Sequence, residues 1–579
     1  MAAPRLEVNL PKIAHNASIL KQLYGIKGID IIGVTKAVCG NPWVAKTLVS
    51  SGIGVLADSR IANIKRMRRA GVSAKFMLLR TPMLSQVSEV IQYTNISLNT
   101  ELSVIQKLSE NALARNTTHA IILMVELGDL REGIMPQDLE GVVKKVLMLK
   151  GIELVGIGTN LACLGGIKPD EDNMNHLSLL AKDIEDKFRI NLTYVTGGNS
   201  ANYDWFINAT THGKINNLRL GESIFLGREP LQRKPILGLF TDAFTLVAEV
   251  IESKIKPSMP LGKVGQDAFG KLHVHEDLGD MQRAILAIGA QDIQVNGLTP
   301  KLDVDILGAN SDHLVINVKE VSLEVGDEIE FSLNYAALIS AMASIYILKK
   351  MSYAMNAVEY CSIIEEKDVL HKKLESGIKI RDDQSALVSL KDIGLKLIYE
   401  PSFYKDYNYM VREAIVEKID RISRSLEKED KVLIIRSAWR SFEHQKLLWE
   451  NNVKVFRKKH PEKSMEEIKQ IVSYFVAPET KSTHSTGGAV DALIYDLKKD
   501  AVMDFGTNDG LKIDLGKECY PHHPDINYEA KRNRKLLIGL FEKEDFVCDL
   551  KEYWHFDYGN VGWAIEKGRN ISIYGAIGA

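Results

Sequence analysis

The run Ile31-Ile-Gly-Val-Thr-Lys36-Ala-Val-Cys-Gly40 sets the architecture of the N-terminal half. Its first residues are uncharged and largely β-branched, the profile of a buried strand; a lysine and a glycine turn close it, and the helical spacing of Pro42–Ser51 follows. The same unit returns along residues 1–235. Strands are expected at Asp30–Val34, Gly54–Ala57, Phe76–Leu79, Asn95–Leu98, Ala120–Glu126, Glu153–Thr159 and Leu192–Thr196. Helical patterns such as Ser59–Ala70, Glu101–Ala114, Pro136–Leu149 and Met174–Lys187 lie between them. About eight such repeats predict a parallel (β/α)8 barrel, in which chemistry collects where the strands end.

The texture then changes. Residues 236–350 carry strand-like runs (Phe244–Ser253, Gln282–Ile288, Leu302–Leu307, Leu314–Val318, Asp327–Leu333) parted by Gly and Pro, and are read as an antiparallel β domain closed by a helix over Tyr335–Lys350. Residues 351–384 are polar and irregular and are read as a linker. Residues 385–579 form an α+β unit, with helices expected at Asn408–Leu426, Ser441–Lys459 and Ser464–Phe475 and a strand at Lys431–Ile435.

Composition excludes several classes. The 579 residues are 45% apolar and 26% charged, the mix of a globular chain. With 73 basic against 75 acidic residues there is no excess of positive charge to hold a polyanion, so nucleic acid is not expected as a partner. No uninterrupted apolar run reaches the roughly 18 residues of a membrane span, and Met1–Asn9 does not resemble a secretory leader. Five widely spaced cysteines make neither a disulfide framework nor a CxxC zinc site; the expectation is a cytoplasmic protein.

Lys36 directly follows a buried strand. Such a lysine can simply cap a barrel mouth, or, desolvated, form a Schiff base with an aldehyde cofactor. Val195-Thr-Gly-Gly-Asn-Ser200-Ala offers small residues with free N–H groups suited to a phosphate, and Leu218-Arg219-Leu-Gly221 adds an arginine and a glycine turn at the next strand. With Leu56-Ala-Asp-Ser-Arg-Ile, Glu126-Leu-Gly-Asp-Leu-Arg131-Glu-Gly, Gly158-Thr-Asn-Leu-Ala-Cys and Leu307-Gly-Ala-Asn-Ser-Asp-His-Leu, these phrases resemble the pyridoxal-phosphate alanine racemase family, its ornithine racemase branch above all, over about residues 1–350. The resemblance implies that Lys36 carries pyridoxal 5'-phosphate and is one of two racemising bases. Ser200 and the backbone at Gly221 would hold the phosphate, Arg219 would face the pyridine nitrogen, and Arg131 would lie near the phenolic oxygen. It also implies a homodimer. The family pattern is broken at Asn160, where a histidine is usual, and at Ala290, where the opposite-face tyrosine is usual. That leaves Ser311, Asp312, His313 and Tyr335 as candidates for the second base, and favours ornithine or another basic amino acid over alanine.

In the C-terminal unit, Ser482-Thr-His484-Ser-Thr-Gly-Gly-Ala-Val-Asp491 and Glu552-Tyr-Trp-His555 supply two imidazoles and a carboxylate, a three-ligand zinc set that leaves one position for water, with Glu552 beside it as a proton acceptor. No HExxH is present, and Asp504-Phe-Gly506 lacks every other kinase element. His522 and His523, in a Pro-flanked loop, could mimic ligands but have no carboxylate strand nearby. Together with Ile434-Ile-Arg436-Ser-Ala-Trp-Arg440-Ser, the motifs resemble the D-Ala-D-Ala dipeptidase and D,D-carboxypeptidase family over about residues 385–579. The resemblance implies Zn2+ on His484, Asp491 and His555, Glu552 as general base and then acid, and Arg440 at the oxyanion. The chain thus reads as two enzymes fused, an amino-acid racemase and a D,D-dipeptidase, acting on amino acids and D,D-dipeptides. The alternative is an active peptidase whose racemase-like half only binds pyridoxal phosphate or serves as a scaffold.

Overall fold

The computed structural model describes the chain except residues 1–2, 268, 271, 273–275, 354, 403, 405–406, 474–475, 479–481, 508–516 and 579. It divides into two compact units, Met1–Tyr24 with Ile29–Ala354, and Gly25–Gly28 with Met355–Ala579.

In the first unit, Asp30–Val34, Val55–Asp58, Lys75–Leu78, Ile96–Asn99, His119–Met124, Ile152–Gly158, Tyr194–Thr196 and Asn217–Leu220 close into a parallel barrel. Ile32, Val34, Ala57, Met77, Leu98, Ile122, Met124 and Val155 pack into one cluster inside it; each large aliphatic side chain so buried stabilises the fold by about 1.5–3 kcal/mol. Local signals start the outer helices. Asn41 accepts hydrogen bonds from the N–H groups of Trp43 and Val44 ahead of Pro42–Ser50, and Asp170 with Asn173 makes a capping box for Glu171–Phe188.

The antiparallel module follows, with strands in the order Leu298–Pro300, Glu328–Leu333, Phe244–Pro257, Asp280–Leu286, Leu314–Asn317, Asp305–Ala309. Arg5–Asn9, counted with the barrel segment 1–235 in the sequence, joins this sheet instead: it pairs antiparallel with Phe244–Val247 and parallel with Leu348–Ser352. Its alternation explains why, since Leu6 and Val8 are both fully buried. The closing helix, expected to reach Lys350, ends at Ala343, because Leu348–Ser352 is drawn into the strand beside Arg5–Asn9; over Tyr335–Ala343 it packs against the turn Lys36–Val38 and so brings the β domain to the barrel mouth.

Of residues 351–384, expected as a linker, the first two end the strand Leu348–Ser352 of the first unit, and the second unit opens with the helix Ala357–Leu374. It starts on a capping box made by Asn356 and Glu359, a signal hidden among polar neighbours. A mixed sheet runs Leu397–Tyr399, Lys431–Ser437, Ala489–Asp496, His555–Asp557, Val547–Cys548. The helix expected from Asn408 begins only at Glu413, after a short strand Met410–Arg412, and buries Ile415, Ile419, Ile422 and Leu426 along one face. The helix expected over Ser464–Phe475 spans Met465–Val472, and Phe475 lies outside the described residues. Among the described residues no helix is long and apolar enough to cross a membrane.

Candidate active sites

The strand Asp30–Val34 delivers Lys36 to the barrel mouth on a single 3-10 turn. Its side chain is exposed, not desolvated as expected. Its neighbour Thr35 is wholly buried and donates through Oγ1 to Asp58 Oδ2 at 2.8 Å. Asp58 also accepts from the Arg60 N–H and Asn63 Nδ2. Burial raises its pKa, while those hydrogen bonds and the Lys36 ammonium oppose the shift. Thr35 and Asp58 thus fix the turn that presents Lys36, a role the sequence did not reveal because both look like ordinary strand-end polar residues.

Arg219 stands on the strand Asn217–Leu220 and is only 4% exposed. Its guanidinium donates to Thr196 Oγ1, to Thr159 O at 2.7 Å and to Asn160 Oδ1 at 3.3 Å, all uncharged acceptors. Burial lowers its pKa to about 10, so it remains a cation at neutral pH. Asn160 in turn accepts from Asn199 Nδ2 at 3.1 Å. A buried cation held by neutral groups suits a neutral ring nitrogen, which needs a donor and brings no charge of its own.

Ser200 and Gly221 are brought together. Ser200 Oγ accepts from the Gly221 N–H at 3.4 Å and the Ser223 N–H at 3.2 Å and lies 3.0 Å from Ser223 Oγ. A Cβ at Gly221 would press on Val34 Cβ and O, both at 3.1 Å, so only glycine lets the two strand ends come this close. The hydroxyls and N–H groups gathered there form a cradle matching a phosphate in size and polarity. Arg131 is exposed and pairs with Glu132; its loop is pinned by Glu126, whose carboxylate accepts from the N–H groups of Gly128, Leu130 and Arg131. Arg131, Glu132 and Cys163 lie near enough to Arg219 to shift its charge equilibrium. Of the four candidates for a second base, Tyr335 heads the helix packed on the Lys36 turn, and burial raises its pKa. Ser311, Asp312 and His313 form a turn bound to Asn310, which also accepts from the Ala290 N–H.

The second site is built on one face of the mixed sheet. Asp491 is paired directly with His555 on one side and Ser437 on the other, so the three side chains project the same way. Val490 and Phe556 between them turn to the core, where Phe556 stacks on Phe541 at 3.9 Å. His484 comes from the turn Thr483–Thr486, ended by Gly487 at φ 73°. Its Nδ1 lies 2.7 Å from Ala438 O and its Nε2 3.2 Å from Asp491 Oδ2. His555 Nδ1 lies 2.9 Å from Asp491 Oδ1. One donor atom from each of His484, Asp491 and His555 falls within 4.8 Å of the others, and all three residues are buried. Two imidazoles and a carboxylate on one buried patch suit zinc. The two histidines outweigh the effect of burial on Asp491 and hold its carboxyl well below the usual range.

Arg440 lies between the strand Lys431–Ser437 and the helix Phe442–Lys459. It donates through Nε to Ser437 Oγ at 2.8 Å, through Nη1 to Gln445 Oε1 at 3.2 Å and through Nη2 to Asp491 Oδ2 at 3.0 Å. Gln445, which the sequence did not single out, is held in turn by Ala477 O at 2.7 Å. Arg436 instead pairs with Glu400. Glu552 sits on a turn whose N–H groups bind Asp549, close enough to His555, Asp491 and Arg440 to sense their charge. Burial, with Asp549 adding to it, pushes its pKa up to about 8. His522 and His523 stay outside the cluster.

The comparisons with known proteins follow the two units. Residues 8–229 match the alanine racemase N-terminal domain family, and residues 408–539 the D-alanyl-D-alanine carboxypeptidase family. Ornithine racemase of Acetoanaerobium sticklandii is 40% identical over 60% of this chain and 99% of its own length. Lysine racemase of Thermotoga maritima is 39% identical over 60% of this chain and 98% of its own. The solved alanine racemase of Corynebacterium glutamicum aligns with 61% of this chain and 100% of its own, at 18% identity and a TM-score of 0.48. The chain belongs to the alanine racemase family, in its ornithine racemase branch, and carries behind that portion a domain of the D-alanyl-D-alanine carboxypeptidase family.

Proposed function

We propose that the chain is a bifunctional enzyme: a pyridoxal-phosphate racemase of ornithine or another basic amino acid, and a zinc D,D-peptidase that takes D,D-dipeptides. The observation that carries the second activity is the set of three buried donors within 4.8 Å of one another. The first rests on Lys36 at the barrel mouth, in a chain that spans nearly the whole of two relatives named for ornithine and lysine.

Pyridoxal phosphate, when bound, supplies an electron sink that makes the substrate Cα proton removable. Ser200 with the Gly221 and Ser223 N–H groups would hold its phosphate, Arg219 its ring nitrogen and Arg131 its phenolic oxygen. Lys36 Nζ takes the Cα proton on one face when one enantiomer reacts, and delivers a proton to that face when the other does. Tyr335 is the favoured donor on the other, because its helix lies on the Lys36 turn. Arg219, protonated at neutral pH, keeps the ring nitrogen unprotonated and so disfavours side reactions. Zinc, when bound to His484, Asp491 and His555, would polarise the scissile carbonyl and acidify a water. Glu552 takes a proton from that water and passes it to the leaving amine, and Arg440 donates to the oxyanion. Two such activities in one chain suggest sequence: hydrolysis releases a D-amino acid and racemisation interconverts it. The working enzyme is a cytoplasmic homodimer.

The test feeds the purified chain L-ornithine, L-lysine and L-alanine and follows optical rotation; turnover of alanine alone overturns the substrate assignment. Borohydride should bleach a visible absorbance band that Lys36→Ala lacks. A band without turnover on any of the three would favour the reading in which this half only binds the cofactor. A panel of D,D- and L,D-dipeptides, with and without chelator, tests the peptidase.

A further inference from the structure

His555 and Asp557 are two residues apart on one short strand, so strand periodicity places both on the face that bears Asp491. The residue opposite Asp557 across the ladder is Ala489, whose methyl leaves the Asp557 carboxylate room beside the imidazole. Asp557 is 5% exposed, and its Oδ1 lies 3.1 Å from His555 Nε2. Asn560 Nδ2 donates to the same oxygen at 2.6 Å and is itself fixed, because its Oδ1 caps the next helix through the Trp563 N–H at 3.0 Å. Thr483 Oγ1 completes the surroundings of Nε2 at 3.0 Å.

A neutral imidazole has one N–H and one lone pair, and whichever nitrogen faces a strong acceptor keeps the proton. His484 meets that requirement with a backbone carbonyl, Ala438 O, at Nδ1, which turns Nε2 toward Asp491. His555 shows the mirror arrangement: both its nitrogens face carboxylates, but Asp491 at Nδ1 is itself a donor of the metal set and would be turned to the ion, which leaves Asp557 at Nε2 as the acceptor for the ring proton. The two histidines therefore offer opposite ring nitrogens to one place, each selected by its own acceptor. We propose that Asp557 is a positioning residue of the zinc site, accepting the His555 Nε2–H so that Nδ1 is left as the ligand atom. The inference rests on the zinc reading given above.

The test measures zinc dissociation constants of the full chain by competition with a chromophoric chelator, in the unsubstituted protein, His484→Ala, Asp557→Ala and Asp557→Asn. Orienting carboxylates of this kind are worth about 10- to 100-fold in metal affinity. Asp557→Ala should weaken zinc by that factor. Asp557→Asn, whose carbonyl oxygen can still accept, should lose less, and its metal-free melting midpoint should stay nearer the unsubstituted protein's than that of Asp557→Ala, which also leaves Asn560 Nδ2 without this acceptor. The inference is overturned if Asp557→Ala binds zinc within about twofold of the unsubstituted chain. It is equally overturned if both variants lose affinity alike while the metal-free melting midpoint falls, since Asp557 would then serve folding alone. If the unsubstituted chain and His484→Ala take up zinc equally poorly, the zinc reading itself fails, and the inference fails with it.

Discussion

Substituting Gly488 by alanine should damage the peptidase site without touching a donor. Gly488 lies just before the strand of Asp491, and its carbonyl accepts from the Tyr558 N–H at 2.8 Å, one rung beyond the Asp557–Ala489 pair. A Cβ there would run into Tyr558 O, with Tyr574 Cδ2 at 3.0 Å and Thr486 Oγ1 at 3.2 Å. Because the obstacle is backbone, relief requires the two chains to part by about 1 Å, whereas metal–ligand distances tolerate about 0.2 Å. Overpacking of this kind costs about 1–3 kcal/mol, equivalent to about 5- to 150-fold in zinc affinity at 1.36 kcal/mol per decade. The assay is a zinc titration beside Gly539→Ala, a position in the helix Tyr528–Lys543 where an added Cβ meets nothing within 4 Å. That control should hold zinc normally and gain up to about 1 kcal/mol from helix propensity. Equal zinc affinity in the two variants would refute the reasoning.

Ser200→Ala removes the acceptor shared by the Gly221 and Ser223 N–H groups and should weaken pyridoxal phosphate by about tenfold, for one hydrogen bond of roughly 1–1.5 kcal/mol, as read by fluorescence titration. Gln445→Ala frees one arm of the Arg440 fork and should lower kcat for dipeptide hydrolysis about tenfold with zinc content intact; a change confined to KM would contradict the role. His119, 2% exposed and bonded to Ser97 Oγ at 2.9 Å, has its pKa lowered by burial from 6.5 to about 4. It is neutral in the folded barrel and free to protonate when unfolded, so its stabilisation is intact above pH 6.5 and is lost as pH falls toward 4. The loss amounts to about 3 kcal/mol. In His119→Asn that part of the acid sensitivity should vanish from pH-dependent hydrogen exchange of the barrel strands.

Much of this was legible in the sequence, for physical reasons. Barrel strands buried on both faces are continuous apolar runs, and the residue after each run is where the chain turns, so Lys36 and the Ser200 and Gly221 turns stood out. The cluster of His484, Asp491 and His555 stood out because two short motifs paired imidazoles with a carboxylate. What escaped was long-range pairing. Leu6 and Val8 alternate like any edge strand, and nothing local says that their partners lie near Phe244 and Leu348. The Asn356–Glu359 capping box was submerged in a charged segment. Asp58, Glu126 and Gln445 hold other residues in place through contacts that only a folded chain creates.

Two of the three donors proposed for zinc, Asp491 and His555, are opposite partners on one antiparallel ladder. Slipping one of the two strands by one residue would send its donor into the hydrocarbon interior and leave the other behind, so an ion gripping the pair would act as a rivet that permits a single alignment. Chelation should therefore do more than stop hydrolysis: the outermost strand, Val547–Cys548, hangs on His555–Asp557 and should lose amide protection before the rest of the sheet does.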